Sequence, residues 1–280
     1  MTDKIMITGS RGFIGSALTK YFDNPIEYDI ALDRRMSVLN EHALSLFMDK
    51  AKPNIIIHLA GNPFATKSVE DPVYDMNLNI GGTLNLLEVC KNRKIDLLLF
   101  SSTAYVYGEP LYQPVDENHQ RFHMGINSPY GISKSACESY CNYYREKCGV
   151  PVTIMRFFNI YGPNQSLGLA VPDIIDKIMK SEDGKVKLLG TDADSRDFLY
   201  VDDLADAISQ IVQKRVIGET INLGGKDITF EVKKQSEASK ISKLHADISK
   251  AEKLLGWSPK TSLEDGLKKV IESYKAKYNI

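Results

Sequence analysis

The chain has 280 residues, 43% apolar and 25% charged, with a formal net charge of −1 and a pI of about 6.5. That is length enough for one large core, or for a core with an attached lobe. The balanced charge argues against a nucleic-acid or membrane-surface partner. Apolar runs such as "DLLLF" and "NIIIHLAG" are far too short to span a bilayer.

The start, "MTDKIMITG", carries no signal-peptide hydrophobic stretch, so a cytoplasmic protein is expected. Cys90, Cys137, Cys141 and Cys148 make no CxxC pair and no zinc spacing. They read as small buried hydrophobes in a reducing compartment, and no metal site is expected.

Short apolar runs alternate with helical patterns through the first two hundred residues. "KIMITG", "IEYDI", "NIIIHLAG", "DLLLFSST" and "VTIMRFFNI" read as strands buried on both faces. Helices are expected near 13–22, 41–51, 75–92 and 130–147, the last ended by Gly149 with Pro151 following. This alternation predicts an α/β fold, a Rossmann-type doubly wound parallel sheet. After "NIYGP" come a helix near 172–181, short strands in "KVKLLG" and "RDFLYV", a helix in "DDLADAISQIVQ", and a strand in "TINLGG". The polar stretch 226–246 reads mostly as loop with room for one strand, its lysines a solvated face. Two helices around "GWSP" finish the chain, the last capped by Ser262 with Asp265 three residues on. Trp257 is expected to pack a helix end. The expected division is a nucleotide-binding core over 1–160, which also receives about 198–224. A smaller, shortened C-terminal lobe takes 161–197 and 225–280.

"TGSRGFIG" puts Gly9, Gly12 and Gly15 at intervals of three between the first strand and the first helix. A glycine turn there lets backbone N–H groups and a helix N-terminus meet a pyrophosphate. Turns collect glycines anyway, so the context carries the reading. Asp29 closes the second strand about twenty residues later. A carboxylate there can bond both adenosine ribose hydroxyls and repel a 2′-phosphate, which favours NAD over NADP. Arg34 and Arg35 stand nearby, and a plain strand-end cap would use the same aspartate. "SPYGISK" sets Tyr130 four residues before Lys134 on one helical face. An ammonium one turn away lowers a phenol's pKa toward that of a useful base. Many surface helices carry such a pair, so its partners decide its meaning. "FSSTAYVYG" places Ser101, Ser102 and Thr103 at the carboxyl end of a buried strand, where parallel sheets hold ligands. His119 and His123 lie in the loop before Tyr130 and are read either as solvated or as approaching a substrate.

With "IIIHLAG", "SVEDPVYDMNLNIGGTLNLLE", "RFFNIYGPNQ", "RDFLYVDDLADAI" and "DISKAEKLLGWSPKTSLEDGL" added in order, the chain resembles the NAD-dependent nucleotide-sugar epimerase/dehydratase family of extended short-chain dehydrogenases/reductases. The resemblance implies Tyr130 as base and acid, Lys134 on the nicotinamide ribose, and Thr103 as the hydroxyl that meets the substrate. It implies NAD held by Gly9, Gly12, Phe13, Ile14, Gly15, Asp29, Ala60, Asn79 and Ser101, together with Tyr130 and Lys134. It implies a nucleotide sugar met by Thr103, Asn159 and Arg196, UDP-glucose or UDP-galactose by default. It also implies a homodimer through the helices near 75–92 and 130–147, with Cys137, Tyr140, Cys141 and Tyr144 as candidate interface residues. Family dehydratases carry an Asp-Glu pair after the threonine, and decarboxylases keep a glutamate there. This chain has Ala104 and Tyr105, with Glu109 only beyond the turn. The expectation is therefore 4-epimerisation through a transient 4-keto sugar. The alternatives are dehydratase, decarboxylase or dehydrogenase chemistry, or a non-catalytic NAD sensor. The family's arginine-bearing clamp has no match within 226–246, where Lys240 and Lys243 are the nearest substitutes.

Overall fold

The computed structural model describes residues 3–120, 126, 128–181, 195–228 and 243–278. The first half runs β1 (Ile5–Thr8), α1 (Phe13–Leu18), β2 (Ile26–Tyr28), α2 (Glu41–Ala51), β3 (Ile55–His58), α3 (Ala65–Glu70), α4 (Pro72–Met76), α5 (Gly82–Lys91) and β4 (Leu97–Thr103). The second half runs α6 (Pro129–Cys148), β5 (Val152–Phe157), β6 (Asn159–Tyr161), α7 (Ala170–Lys180), β7 (Ser195–Tyr200), α8 (Val201–Gln213), β8 (Thr220–Leu223), β9 (Lys226–Ile228), β10 (Lys243–Leu244), α9 (Ser249–Leu255) and α10 (Leu263–Tyr278).

Every residue of β1, β3, β4 and β5 is buried, as their unbroken apolar runs predict. Six strands pair in parallel in the order β2-β1-β3-β4-β5-β8. Alternate side chains go to opposite faces. Ile5, Ile7, Ile55 and Ile57 join α8 and α9 in one cluster, which also takes Trp257. Met6, Ile56, Leu98 and Phe100 join α2, α5 and α6 in the other. Helices thus cover both faces, and the fold is the expected doubly wound α/β sheet. The chain steps out from β1 to β2 and crosses back to β3 on the other side of β1, so the carboxyl edge at β1 and β3 is the place for a ligand.

A second sheet runs β10-β7-β6, with β9 antiparallel on β7. Tyr161, Phe198 and Tyr200 from this sheet pack with Val171 and Ile175 of α7 and Val270 of α10. Trp257 Nε1 donates to the Asp203 carbonyl at 3.1 Å, which fixes the end of α9 on α8.

The helix ends follow their residues. Ser128 Oγ accepts from Gly131 N, Pro129 opens α6, and Gly149 closes it at φ +71°. Ser262 Oγ accepts from Asp265 N at 3.1 Å and donates to the Asp265 carboxylate at 2.7 Å. Two elements differ from expectation. The helix expected near 13–22 gives way at Thr19 to a tighter 3₁₀ turn. The one expected near 75–92 is α4 and α5 joined by a π turn over Asn77–Gly81. α3 and the start of α4 were not anticipated, although "DP" announces them: Tyr74 N donates to Asp71 Oδ1 at 2.9 Å, with Pro72 opening the helix. "KVKLLG", His123 and Lys240 lie outside the described residues, as does most of 226–246.

Candidate functional site

The glycine turn sits between β1 and α1 because no side chain fits there. Gly9 adopts φ +71°, and a Cβ on it would lie 2.9 Å from Ala60 N. A Cβ on Gly15 would lie 2.1 Å from the Gly9 carbonyl. Gly12 N donates to that same carbonyl at 3.1 Å and begins α1. Asp29 is nine-tenths buried; its carboxylate accepts from Arg11 N at 2.9 Å and from Ala31 N at 2.8 Å. So it caps its own strand end and also anchors the glycine turn. An exposed Arg35 pairs with Asp33 rather than with Asp29.

A groove of about 600 Å³ runs along the carboxyl edge from this turn to α6. Gly9, Gly12, Phe13, Ile14, Gly15, Asp29, Ala60, Ser101, Tyr130 and Lys134 all line it. Asn79 does not. It is buried behind the wall, where its Oδ1 accepts from Asn62 N at 2.9 Å. Sequence reasoning missed several wall residues, among them Asn62, Phe64, Tyr74, Gln165, Ser166 and Leu169. The loop after β3, the unanticipated α3–α4 segment and the loop after "YGP" bring these near the groove.

At the far end the Thr103 hydroxyl accepts from Tyr105 N at 3.3 Å and stands beside the Tyr130 phenol. α6 holds the tyrosine, and Ser68 Oγ of α3 accepts its backbone N–H at 3.0 Å. Burial pushes the Tyr130 phenol up; the Thr103 hydroxyl opposes this, while Tyr105 and Asp75 add to it. The expected depression by Lys134 is therefore not what this arrangement produces. Lys134 Nζ donates to the Ser101 carbonyl at 2.9 Å and stands over the Phe100 ring at 5.0 Å. Burial pulls its own ammonium pKa down, with the surrounding thiols and carboxylates, Asp75 among them, pulling it back. Beneath it, burial and then the Lys134 charge push His58 down to about 3. The neutral ring bridges Thr8 at 2.7 Å and Thr83 at 3.3 Å.

The threonine strand is clamped from below. Glu138 of α6 holds Arg156 of β5 through two bonds, Nε to Oε1 at 2.9 Å and Nη2 to Oε2 at 2.8 Å. Ser102 Oγ donates to Glu138 Oε1 at 2.5 Å. Arg156 Nη1 reaches the Tyr107 hydroxyl at 2.8 Å, and that hydroxyl donates to Asn222 Oδ1 at 2.6 Å. Burial works against the Arg156 charge, but the Glu138 carboxylate outweighs it and the pKa rises. This pair ties β4, α6 and β5 together beside Thr103.

The residues expected to meet a sugar nucleotide lie apart from the groove lining. Asn159 on β6 donates from Nδ2 to the Asp197 carbonyl at 3.0 Å. Arg196 is half-buried on β7, between β10 and β9. His119 is neither solvated nor near the groove. It is 3% exposed, its Nε2 accepts from Leu111 N at 2.9 Å, and its Nδ1 donates to the Gln120 carbonyl at 2.7 Å. Cys137, Cys141 and Tyr144 are core residues rather than surface ones, because α6 turns that face toward the sheet. All four cysteines are free. Among the described residues no group of three His, Cys, Asp or Glu could hold a metal ion, and no helix is long and apolar enough to cross a membrane.

A parallel six-stranded sheet, a turn in which Gly9 and Gly15 leave no room for a Cβ, and a groove ending at Tyr130 and Lys134, with Thr103 outside its lining, define a Rossmann-type dinucleotide-binding protein. The model of the NAD dependent epimerase/dehydratase family matches residues 5–224. The chain is 31% identical over 307 residues to an uncharacterized UDP-glucose epimerase of Bacillus subtilis, covering 94% of this chain and 95% of that one. It is 29% identical over 308 residues to UDP-glucuronic acid decarboxylase 1 of Arabidopsis thaliana, covering 97% and 70%. The crystal structure of UDP-glucuronic acid 4-epimerase from Bacillus cereus, in complex with UDP-glucuronic acid and NAD, superposes with a TM-score of 0.84 at 30% identity, over 98% and 100% of the two chains. The chain belongs to the NAD dependent epimerase/dehydratase family.

The groove fits the family's cofactor. It runs from the turn where Gly9 and Gly15 leave no room for a Cβ to Tyr130 and Lys134, and Asp29 is among its lining residues.

Proposed function

We propose that the protein epimerises a nucleotide sugar at C4, with a UDP-hexose of the glucose/galactose pair as substrate. The observation that carries this reading is the Tyr130–Thr103 pair beside Lys134, followed by Ala104 and Tyr105 where elimination would need carboxylates. Tyr105 instead sets its ring edge-on to Tyr130, with centroids 5.9 Å apart. Glu109 is exposed beyond the turn.

In this reading Tyr130 takes the proton of the C4 hydroxyl and later returns it. Thr103 orients that hydroxyl, and Ser101, through its carbonyl, aims Lys134 at the ribose. NAD, when bound, supplies the hydride acceptor, and its nicotinamide charge favours the phenolate that burial alone disfavours. Gly9, Gly12, Phe13, Ile14, Gly15, Asp29 and Ala60 hold the adenosine diphosphate half. Asn79 acts from behind the wall. Asn159 and Arg196 meet the nucleotide diphosphate of the substrate.

We place the protein in the cytoplasm as a homodimer. Val73, Tyr74 and Met76 of α4 and Ile132 and Tyr143 of α6 are exposed apolar side chains on the helices concerned. Sedimentation as a monomer at micromolar concentration would remove the dimer. A decarboxylase outcome is the second reading, favoured by the identity to the Arabidopsis enzyme.

The test is to supply NAD and UDP-galactose and to follow the sugar by NMR with absorbance at 340 nm. Conversion to UDP-glucose without lasting NADH is the expected result. Loss of a carboxyl carbon from UDP-glucuronic acid, or a stable keto product, would replace epimerisation with the second reading or with dehydration.

A further inference from the structure

Asp75 is the most completely buried carboxylate near the groove, at 0% exposure, on a helix whose neighbours Val73, Tyr74 and Met76 face outward. A buried carboxylate is costly unless donors surround it. Asp75 has three, each from a different segment. Oδ1 accepts from Asn62 Nδ2 at 2.8 Å and from Asn79 Nδ2 at 2.9 Å. Oδ2 accepts from Ser133 Oγ at 2.7 Å. None of these donors is a cation.

What the three donors border is specific. Asn62 lines the groove on the loop after β3. Asn79 Oδ1 holds the Asn62 backbone and sits so close to Gly61 that a Cβ there would be 2.6 Å away, with Lys134 Nζ at 3.7 Å. Ser133 directly precedes Lys134 on α6. The π turn over Asn77–Gly81 adds a residue to the helix between Asp75 and the rest of α5, and Asn79 lies within it. One side chain therefore fixes the β3 loop, the π turn and the lysine turn of α6 against one another. If only packing were needed, apolar residues would fill this place at lower cost.

We propose that Asp75 is a positioning residue for the nicotinamide half of the dinucleotide: through Asn62, Asn79 and Ser133 it sets Gly61 and Lys134 at the spacing the cofactor spans. The proposal rests on the family cofactor occupying this groove with its nicotinamide toward Tyr130. At the other end the glycine turn abuts the β3 loop at Leu59 and Ala60, and Asp29 is held by Arg11 N and Ala31 N; among the described residues none of the hydrogen bonds of Asp75 reaches either.

The test compares two ligands by calorimetry on the full chain. ADP probes the glycine end alone, whereas NAD spans both ends. Asp75→Asn keeps an acceptor and the volume but removes the charge. It is expected to raise the NAD dissociation constant about ten-fold, as loss of charge-assisted hydrogen bonding implies, with ADP binding within about two-fold of wild type. Ser133→Ala removes one bond of the three and carries the same comparison if Asp75→Asn does not fold, with NAD weakened about three-fold and ADP unchanged. Equal weakening of both ligands would reduce Asp75 to general support of the fold and overturn the proposal. Unchanged NAD affinity in both variants would overturn it too. A wild-type chain that binds ADP but not NAD would instead sink the cofactor reading on which the proposal stands.

Discussion

The sheet edge that forms the groove and the lobe built on the second sheet are made differently; that sheet takes Asn159 as well as Arg196, although the expected core ran to residue 160. In the edge, consecutive strands β1, β3 and β4 are fully buried neighbours, and each delivers its loop to the same line. In the lobe, strands of two to six residues from four separate segments make one small sheet. Asp197 holds several of them at once: its carboxylate accepts from Gly225 N and from Ala246 N, and its carbonyl accepts from Asn159. The lesson is that cofactor geometry is set by a rigid, continuous core. The residues proposed to meet the substrate depend on a few polar ties between distant segments. Changes at the edge should therefore abolish chemistry or fold, and changes in the lobe should alter substrate affinity alone.

The sharpest break in that contrast is Tyr130→Phe. It should lower turnover by about 10²- to 10⁴-fold, the usual worth of a positioned acid–base group, while NAD binding measured by calorimetry stays at the wild-type level. Retained turnover would remove the phenol from the chemistry.

Next in size is the clamp under Thr103. Glu138→Ala leaves Arg156 buried without its carboxylate and should cost about 3–5 kcal/mol of stability in denaturant unfolding at neutral pH. A loss under about 1 kcal/mol, the range of an exposed pair, would show that the pair is not part of the rigid core.

Acid should weaken the edge before the lobe. Burial and then the Lys134 charge push the folded His58 pKa down to about 3, against 6.5 for the free group. The unfolded chain thus binds a proton between those values while the folded one does not. The stability due to the neutral ring is complete above 6.5 and falls with pH toward 3, by at most about 1.4 kcal/mol per unit. Melting temperatures of wild type and His58→Gln between pH 7.5 and 4 should converge as pH falls. Parallel curves would assign acid sensitivity elsewhere.

The smallest effect expected is Arg196→Ala, a rise of about ten-fold in KM for the nucleotide sugar with NAD affinity unaltered. A change in NAD affinity would mean that the lobe and the groove are coupled after all.

The contrast also explains what could be read in advance. The glycine turn, Asp29, the threonine strand and "SPYGISK" were legible because each is a local pattern that the sheet brings to one edge. α6 and α10 were legible from their caps. Asp75, Asn62 and Ser133 carried no signal of their own, since a buried polar cluster looks like surface composition until its partners are known. His119 misled for the converse reason: a histidine in a polar loop reads as solvated, yet Leu111, Gln120 and two tyrosine rings enclose it.

Sequence alone determined the parallel α/β sheet and the glycine turn at its edge, because hydrophobic period, glycine spacing and helix caps act over a few residues; the tyrosine–lysine–threonine set followed from the family resemblance rather than from any local pattern. Tertiary structure alone decided that burial raises the tyrosine's pKa, that Lys134 is aimed by a strand carbonyl, and that Asp75 ties three segments behind the wall. Those outcomes depend on solvent exclusion and on contacts between residues tens of positions apart, which no local pattern records.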